Sequence, residues 1–183
     1  MSVEFLRGRL LVAAPTLTDP NFSRTVVLVT EHSDDGAMGI VLNRPSAMVV
    51  AEVVPELADL AGEEAVIHLG GPVQPEALVV LAEFRDRDAA AAIVVADVGL
   101  VSADSETADL AEATRRGRVF AGYAGWGPGQ LEAEVEEDAW IVEPPVPGEL
   151  FSEDHESLWS AVLERKGGRY ALLARMPRDP SLN

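Results

Sequence analysis

Three histidines, His32, His68 and His155, carry the side chains best suited to acid–base chemistry near neutral pH. His32 and His68 each end an apolar run, where a strand end could present a catalytic group. His155 lies among polar residues that indicate the solvated first turn of a helix. No two of them share a helical face or the i, i+4 spacing of a zinc-binding helix, so the pattern predicts no metal site.

One catalytic hypothesis pairs His32 with the distant carboxylate of Glu132 as base and acid, and uses Asn43 or loop N–H groups to stabilise developing charge. The hypothesis requires hydrogen-bond reach, so a separation beyond about 10 Å would exclude it. The chain has no cysteine, which excludes a thiol nucleophile. It also lacks the Gly-x-Ser-x-Gly motif, which disfavours a serine hydrolase.

A glycine-rich segment, residues 122–130 with the sequence GYAGWGPGQ, precedes a predicted helix. Its N–H groups could bind an anion at the positive end of that helix. It matches neither the P-loop nor the dinucleotide-binding spacing, and Glu132 and Glu134 would repel a phosphate there. The other interpretation is architectural: the glycines permit tight turns, and Tyr123 and Trp126 anchor the loop on the core.

The formal charge of −17 limits the classes of partner. Nucleic-acid binding draws much of its affinity from cations, so direct binding is disfavoured over most of the surface. Arg115, Arg116 and Arg118 form a local basic patch, which we assign to the end of a predicted helix. No signal peptide or membrane span is predicted. With no cysteine, a reducing cytoplasm fits, and we predict a cytoplasmic protein.

The elements that must position these groups follow from short apolar runs and turn residues. Strands are predicted over residues 10–14, 25–30, 37–43, 66–69, 78–84, 93–97, 100–103, 119–123, 140–143 and 170–175. Helices are predicted over residues 49–60, with a kink at Pro55, and over residues 105–116, 130–137 and 153–165. Strands outnumber helices without strict alternation, which predicts an α+β fold. No linker divides residues 1–183, so one domain is predicted.

Several spaced motifs occur in a fixed order along the chain. They are Ala14-Pro15, Phe22, Val26, Glu31-His32, Gly36-Ala37-Met38-Gly39, Asn43-Arg44-Pro45, Gly70-Gly71-Pro72-Val73, Gly122-Tyr123-Ala124-Gly125-Trp126, Gln130-Leu131-Glu132, Glu134, Trp140, Phe151 and Trp159. In this order they resemble the YqgE/AlgH family of bacterial proteins over nearly the whole chain.

The resemblance implies an α+β domain whose branched, mixed sheet curls into a partial barrel with flanking helices. The family has no established enzymatic activity, and the transcriptional-regulator label of some members comes without a DNA-binding motif. Where the family usually places Leu-His after its Gly-Gly-Pro-Val motif, this chain has Val80-Leu81-Ala82. Any chemistry that this histidine served would be lost here.

Three functional hypotheses follow. The first is a binding or regulatory module for a small molecule or protein, without cofactor, that uses the segment GYAGWGPGQLE. Its candidate binding residues are Asn43, Tyr123, Trp126, Gln130 and Glu134. The alternative is a hydrolase or another small-molecule enzyme that uses His32 and Glu132, and the third is a transcriptional regulator, disfavoured as a direct DNA binder by the charge.

Overall fold

The computed structural model describes residues 4–178 and contains ten strands and six α-helices within that range. The strands are β1 (Leu10–Ala13), β2 (Val26–Ser33), β3 (Gly36–Val41), β4 (Pro45–Val49), β5 (Val66–Leu69), β6 (Val73–Phe84), β7 (Ala92–Val95), β8 (Val98–Leu100), β9 (Thr114–Trp126) and β10 (Trp140–Glu143). The helices are α1 (Val50–Val53), α2 (Ala58–Ala61), α3 (Thr107–Ala113), α4 (Gln130–Glu136), α5 (Leu158–Lys166) and α6 (Arg169–Leu173).

One sheet runs in the order β10-β1-β2-β3-β9-β6-β8-β7, and β5 and β4 form a side branch. The branch starts on β9, whose Phe120 and Ala121 pair in parallel with β5 before Ala124 begins the antiparallel pairing with β3. All other strand pairs are antiparallel. β10 and β7 are not paired with each other, so the sheet is open. The predicted α+β class is confirmed.

Both faces of β1 and of residues 26–29 of β2 are buried, which explains their uninterrupted apolar sequences. Alternate residues of a strand point to opposite faces. Leu10 and Val12 of β1 lie in a cluster with α5, called here the α5 cluster, whereas Leu11 and Ala13 lie in a cluster with Leu131 of α4, called the α4 cluster. The whole of β1 is therefore inaccessible to solvent.

Several predicted elements are wrong, for local reasons. Residues 170–175, predicted as a strand, lie largely in α6, where the alanine and leucines are good helix formers. Pro55 breaks the predicted helix 49–60 into α1, a 3-10 turn and α2. Gly99 lies inside β8 rather than between strands, because the turn falls at Ala96, whose φ is 49°.

The polar run before α5 also differs from its prediction. Helix α5 begins at Leu158 and not near Glu153, because the Asp154 carboxylate accepts the N–H of Ser157 in a turn that precedes the helix. His155 is therefore outside the helix. No helix among residues 4–178 is both long and apolar enough to cross a membrane.

Candidate functional site

His32 lies near the end of β2 with its side chain 0% exposed. Its Nδ1 accepts a hydrogen bond from the backbone N–H of Leu6 at 2.9 Å. Its Nε2 lies 2.6 Å from Oε1 of Glu132 on α4. The structure thus brings together the histidine and the carboxylate that the catalytic hypothesis paired, across 100 positions of sequence.

The two contacts determine which nitrogen of His32 carries the proton. Because Nδ1 accepts from a backbone N–H, the proton of the neutral ring lies on Nε2 and is donated to Glu132. Both ring nitrogens are then occupied by the protein. A cavity of about 460 Å³ lies beside this pair and is lined by Arg7, Glu31 and Trp126 as well. In this arrangement no His32 nitrogen is left for a proton of a bound substrate.

The His32 contact stabilises the charged form of Glu132. The pKa of Glu132 is lowered, chiefly by a hydrogen bond from its own backbone N–H and further by the hydrogen bond from His32. A carboxyl group with a lowered folded-state pKa stabilises the fold above its unfolded pKa of about 4.3, and this stability is lost as pH falls through the folded value.

We therefore expect Glu132→Gln to reduce the free energy of unfolding by about 1 kcal/mol at pH 7. The difference from the wild type should shrink below about pH 4, where the wild-type carboxylate is also neutral. Urea denaturation at pH 7, 5 and 3.5 measures it. The exposed Glu136 on the same helix offers a control, and Glu136→Gln should stay within about 0.5 kcal/mol at each pH. A pH-independent difference for Glu132→Gln would contradict this account of the pair.

Trp126 is 7% exposed and belongs to the α4 cluster. Its Nε1–H donates to Oε2 of Glu134 at 2.6 Å, and the same oxygen accepts from Nε1–H of Trp140 at 3.2 Å. Gln130 accepts the N–H of Gly127 at 3.0 Å through Oε1. Three of the predicted binding residues therefore hold one another and fasten α4 to the sheet.

Tyr123 and Asn43, the other two predicted binding residues, lie elsewhere. Tyr123 is half-buried against the α5 cluster, on the opposite face of the sheet from Trp126. Asn43 accepts the N–H of Val26 at 3.0 Å and donates to the carbonyl of Arg24 at 2.9 Å. The five predicted binding residues thus do not form one continuous surface.

Asn43 contributes instead to a cleft of about 550 Å³ that was not predicted from the sequence. Three arginines, Arg24, Arg44 and Arg178, line it, and Glu156 is the only acidic residue among its lining residues. Over the described range 4–178, Arg24 and Arg44 have no carboxylate oxygen within 4.0 Å. In a chain of charge −17, three arginines on one cleft are a local concentration of positive charge.

The surroundings of these arginines disfavour their charge. Burial lowers the pKa of Arg24, and the nearby charge of Arg178 lowers it further. Burial also lowers the pKa of Arg44, while the more distant Asp19 raises it. Both guanidinium groups remain protonated near neutral pH. An anion in the cleft would relieve the repulsion between the cations.

A contact between two histidines was not predicted from the sequence either. His68 and His155 lie with their Nε2 atoms 2.8 Å apart, and His68 Nδ1–H donates to the carbonyl of Val66. Burial, and then the charge of Arg118, lower the pKa of His68 to about 3. The same two causes lower the pKa of His155, which lines the arginine cleft. His155 is therefore a neutral hydrogen-bonding group in the cleft wall and not a solvated helix start.

The basic patch predicted at a helix end lies on a strand. Arg115, Arg116 and Arg118 follow Thr114, the first residue of β9, because α3 already ends at Ala113. Arg116 donates to Glu83 at 2.7 Å, and Arg118 donates to Glu153 at 2.9 Å. These arginines are paired with acids, whereas Arg24 and Arg44 of the cleft have no such partner among residues 4–178. Within residues 4–178, no group of three or more metal-ligating side chains is present.

Comparison with known proteins places this geometry in a family. The model of the AlgH-like family matches residues 10–171. The chain belongs to the AlgH-like family. This confirms the resemblance drawn from the motifs.

Relatives and solved structures of the family match at full length. The chain is 44% identical to a UPF0301 protein of Streptomyces coelicolor, over 99% of this chain and 97% of that protein. It matches the crystal structure of a Corynebacterium diphtheriae protein with a TM-score of 0.86 and 26% identity, over 96% of this chain and 95% of that one. It matches the solution structure of the AlgH protein from Pseudomonas aeruginosa with a TM-score of 0.72 and 32% identity, over 97% of each chain.

In this AlgH-like chain, the two glycine motifs meet backbone to backbone where the sheet branches. The Gly70 N–H donates to the carbonyl of Ala121, and the Gly70 carbonyl accepts from Val41 of β3. A Cβ on Gly70 or Gly71 would lie under 3.0 Å from backbone atoms of Gly122 or Tyr123. The first half of the glycine-rich segment is thus strand β9, and its glycines permit a close strand contact.

Proposed function

We propose that this AlgH-like protein is a non-catalytic binding module for a small molecule, and that the ligand site is the arginine cleft beside Asn43. The observation that carries the proposal is the convergence of Arg24, Arg44 and Arg178 on one concave surface, where no carboxylate among residues 4–178 is paired to Arg24 or Arg44. A volume of about 550 Å³ lies within the usual range of small-molecule sites.

The hydrogen bonds of the glycine-rich segment argue against a ligand site within it. Trp126, Gln130 and Glu134 make hydrogen bonds to one another or to Gly127 and Trp140. Groups that are already satisfied gain little from a ligand, since a ligand would have to replace existing hydrogen bonds. These contacts favour the architectural interpretation of the segment.

The enzyme hypothesis is the less favoured one. General acid–base catalysis needs a group within hydrogen-bond reach of a substrate proton. His32 has both nitrogens occupied by Leu6 and Glu132 and its side chain is 0% exposed, so a substrate would have to displace one of two protein contacts. Direct DNA regulation is disfavoured by the charge of −17.

A thermal-shift screen against a library of anionic, neutral and cationic metabolites tests the proposal. A ligand at 100 times its Kd adds about 2.7 kcal/mol to stability, which corresponds to a midpoint increase of about 5 °C or more in a chain of this size. We expect some ligands to raise the midpoint of the wild type, and this increase to be smaller in Arg44→Gln. The increase should be retained in Arg85→Gln, which removes the same charge from an exposed residue outside the cleft.

Two outcomes would contradict the proposal. One is a library without any hit. The other is a set of hits that survive Arg44→Gln and are lost in Glu132→Gln, since this would place the ligand at the His32 cavity and restore the enzyme hypothesis.

A further inference from the structure

The backbone of Arg24 is unusual in a way that bears on the cleft. Its φ is 56°, in the left-handed region that side-chain-bearing residues rarely adopt. The Asn43 side chain accepts a hydrogen bond from the Val26 N–H and donates one to the Arg24 carbonyl. These two bonds hold the backbone conformation of Arg24. Strained backbone that the surroundings impose is a feature of functional sites.

The side chain of Arg24 is also held in place. Its guanidinium lies 4.3 Å above the ring of the buried Trp159 and donates to the carbonyl of Met176. A cation stacked on an aromatic face loses conformational freedom before any ligand arrives. Its charge is therefore prepositioned at the cleft.

Arg44 is fixed by a different set of contacts. Its Nη1 donates to the carbonyl of Asn21 at 2.8 Å, and its Nη2 donates to the carbonyl of Ser23 at 3.1 Å. A guanidinium has five N–H donors, and these bonds use two. Both partners are neutral carbonyls, so the positive charge of Arg44 is oriented without being neutralised.

The positive charge of the cleft favours a ligand with more than one negative charge. Among the described residues, three arginines and one glutamate line the cleft, so its lining is net positive. A phosphate monoester carries about −1.5 to −2 at pH 7, whereas a carboxylate carries only −1. Arginine forks also match the paired oxygens of a phosphate with two parallel hydrogen bonds.

The remaining cleft surface indicates an organic group on the phosphate. Pro45 and Leu69 add apolar surface to the lining, and Leu69 is 45% exposed. Burying such surface under a ligand is favourable by about 25 cal/mol per Å². A bare phosphate ion would leave it exposed. A nucleic acid is a poor occupant, because its further phosphates would face a surface dominated by acids.

We infer that the cleft binds a small organic phosphate monoester, with the phosphate on Arg24 and Arg44 and the organic group on Leu69 and Pro45. This inference rests on the proposed function and specifies its ligand class. Asn43 lines the same cleft and holds the backbone beside Arg24 through its two hydrogen bonds.

Isothermal titration with four probes tests the inference. The probes are phenyl phosphate, inorganic phosphate, benzoate and benzyl alcohol, each at pH 7.5 and low salt. We expect phenyl phosphate to bind most tightly, inorganic phosphate and benzoate at least fivefold more weakly, and benzyl alcohol not measurably. Raising the salt to 0.5 M should weaken phenyl phosphate binding severalfold, because the attraction is between charges.

Two variants and one control locate the binding. Arg44→Gln should weaken phenyl phosphate at least tenfold, and Arg44→Lys should weaken it less because the charge remains. Arg85→Gln should leave the affinity within twofold of the wild type. Urea denaturation of each variant shows that it is folded, and if Arg44→Gln does not fold, Arg24→Gln replaces it with the same expected loss.

Benzyl alcohol binding as tightly as phenyl phosphate would overturn the inference, as would phenyl phosphate binding that Arg44→Gln leaves unchanged. The absence of phenyl phosphate binding would overturn it as well. None of these results removes the proposed function if the metabolite screen yields a ligand that depends on Arg44. A screen without such a ligand removes the proposed function itself, so the two failures are distinguishable.

Discussion

Trp126→Ala is expected to lower the free energy of unfolding by about 3–5 kcal/mol, the usual loss for a large aromatic residue in a core. The ring is 7% exposed, and its centroid lies 6.4 Å from that of Phe22 and 6.1 Å from that of Trp140. Its removal leaves a cavity between α4 and the sheet and removes one of the two indole donors to Glu134. Urea denaturation followed by fluorescence or circular dichroism measures the loss.

A matched variant keeps part of the packing. Trp126→Phe retains a six-membered aromatic ring but loses the five-membered ring and its N–H to Glu134, so we expect a smaller loss of about 1–2 kcal/mol. A Trp126→Ala protein with nearly unchanged stability and altered ligand binding would instead make the indole an exposed ligand platform.

Gly122→Ala is expected to cost about 2–5 kcal/mol of unfolding free energy. The backbone of Gly122 has a φ of 74°, which costs about 1–2 kcal/mol for an alanine. The added Cβ would also lie under 3.0 Å from the Gly71 carbonyl oxygen, and overpacking of this kind costs about 1–3 kcal/mol. Neither backbone can move freely, because both lie at the branch of the sheet.

Two glycines of the same segment serve as controls. Gly129 has a φ of 72° but no atom within 4 Å of a built Cβ, so Gly129→Ala should show only the conformational cost of about 1–2 kcal/mol. Gly125 has no positive φ and only ordinary contacts at 3.7 Å and beyond, so Gly125→Ala should be close to neutral. Equal losses at all three positions, in thermal or urea denaturation, would contradict the close-contact explanation of the motif.

The sequence predicted the central strands well because their burial on both faces leaves an unmistakable pattern. Residues 10–13 of β1 and 26–29 of β2 pack on the α5 cluster and the α4 cluster alternately, so no polar residue interrupts these two runs. Helix α4 was also predicted almost to the residue, because the preceding glycines and Pro128 leave little choice of start. Helix α6 was predicted as a strand from its short apolar run, although alanine and leucine favour a helix. The start of β9 was assigned to the preceding helix, because its pairing with β6 cannot be seen in its sequence.

The candidate site was predicted in part. The catalytic hypothesis paired His32 with Glu132, and the structure brings the two side chains to 2.6 Å, although their catalytic role stays a prediction. The arginine cleft could not be found in this way, because Arg24 precedes β2, Arg44 lies between β3 and β4, and Arg178 follows α6, so that only the fold brings them together. The one available indication was the motif Asn43-Arg44-Pro45, since Asn43 orders the backbone of the cleft.

Chemical-shift mapping of ¹⁵N-labelled protein during a phenyl phosphate titration tests the central claim most directly, because it reports where the molecule binds. The claim predicts the largest shift changes at the amides of Ser23, Asn43, Arg44, Leu69 and His155, which line the cleft. It predicts little change at Gly127 or Gln130. Saturable changes centred on the glycine-rich segment or on His32, with the cleft amides unmoved, would contradict it.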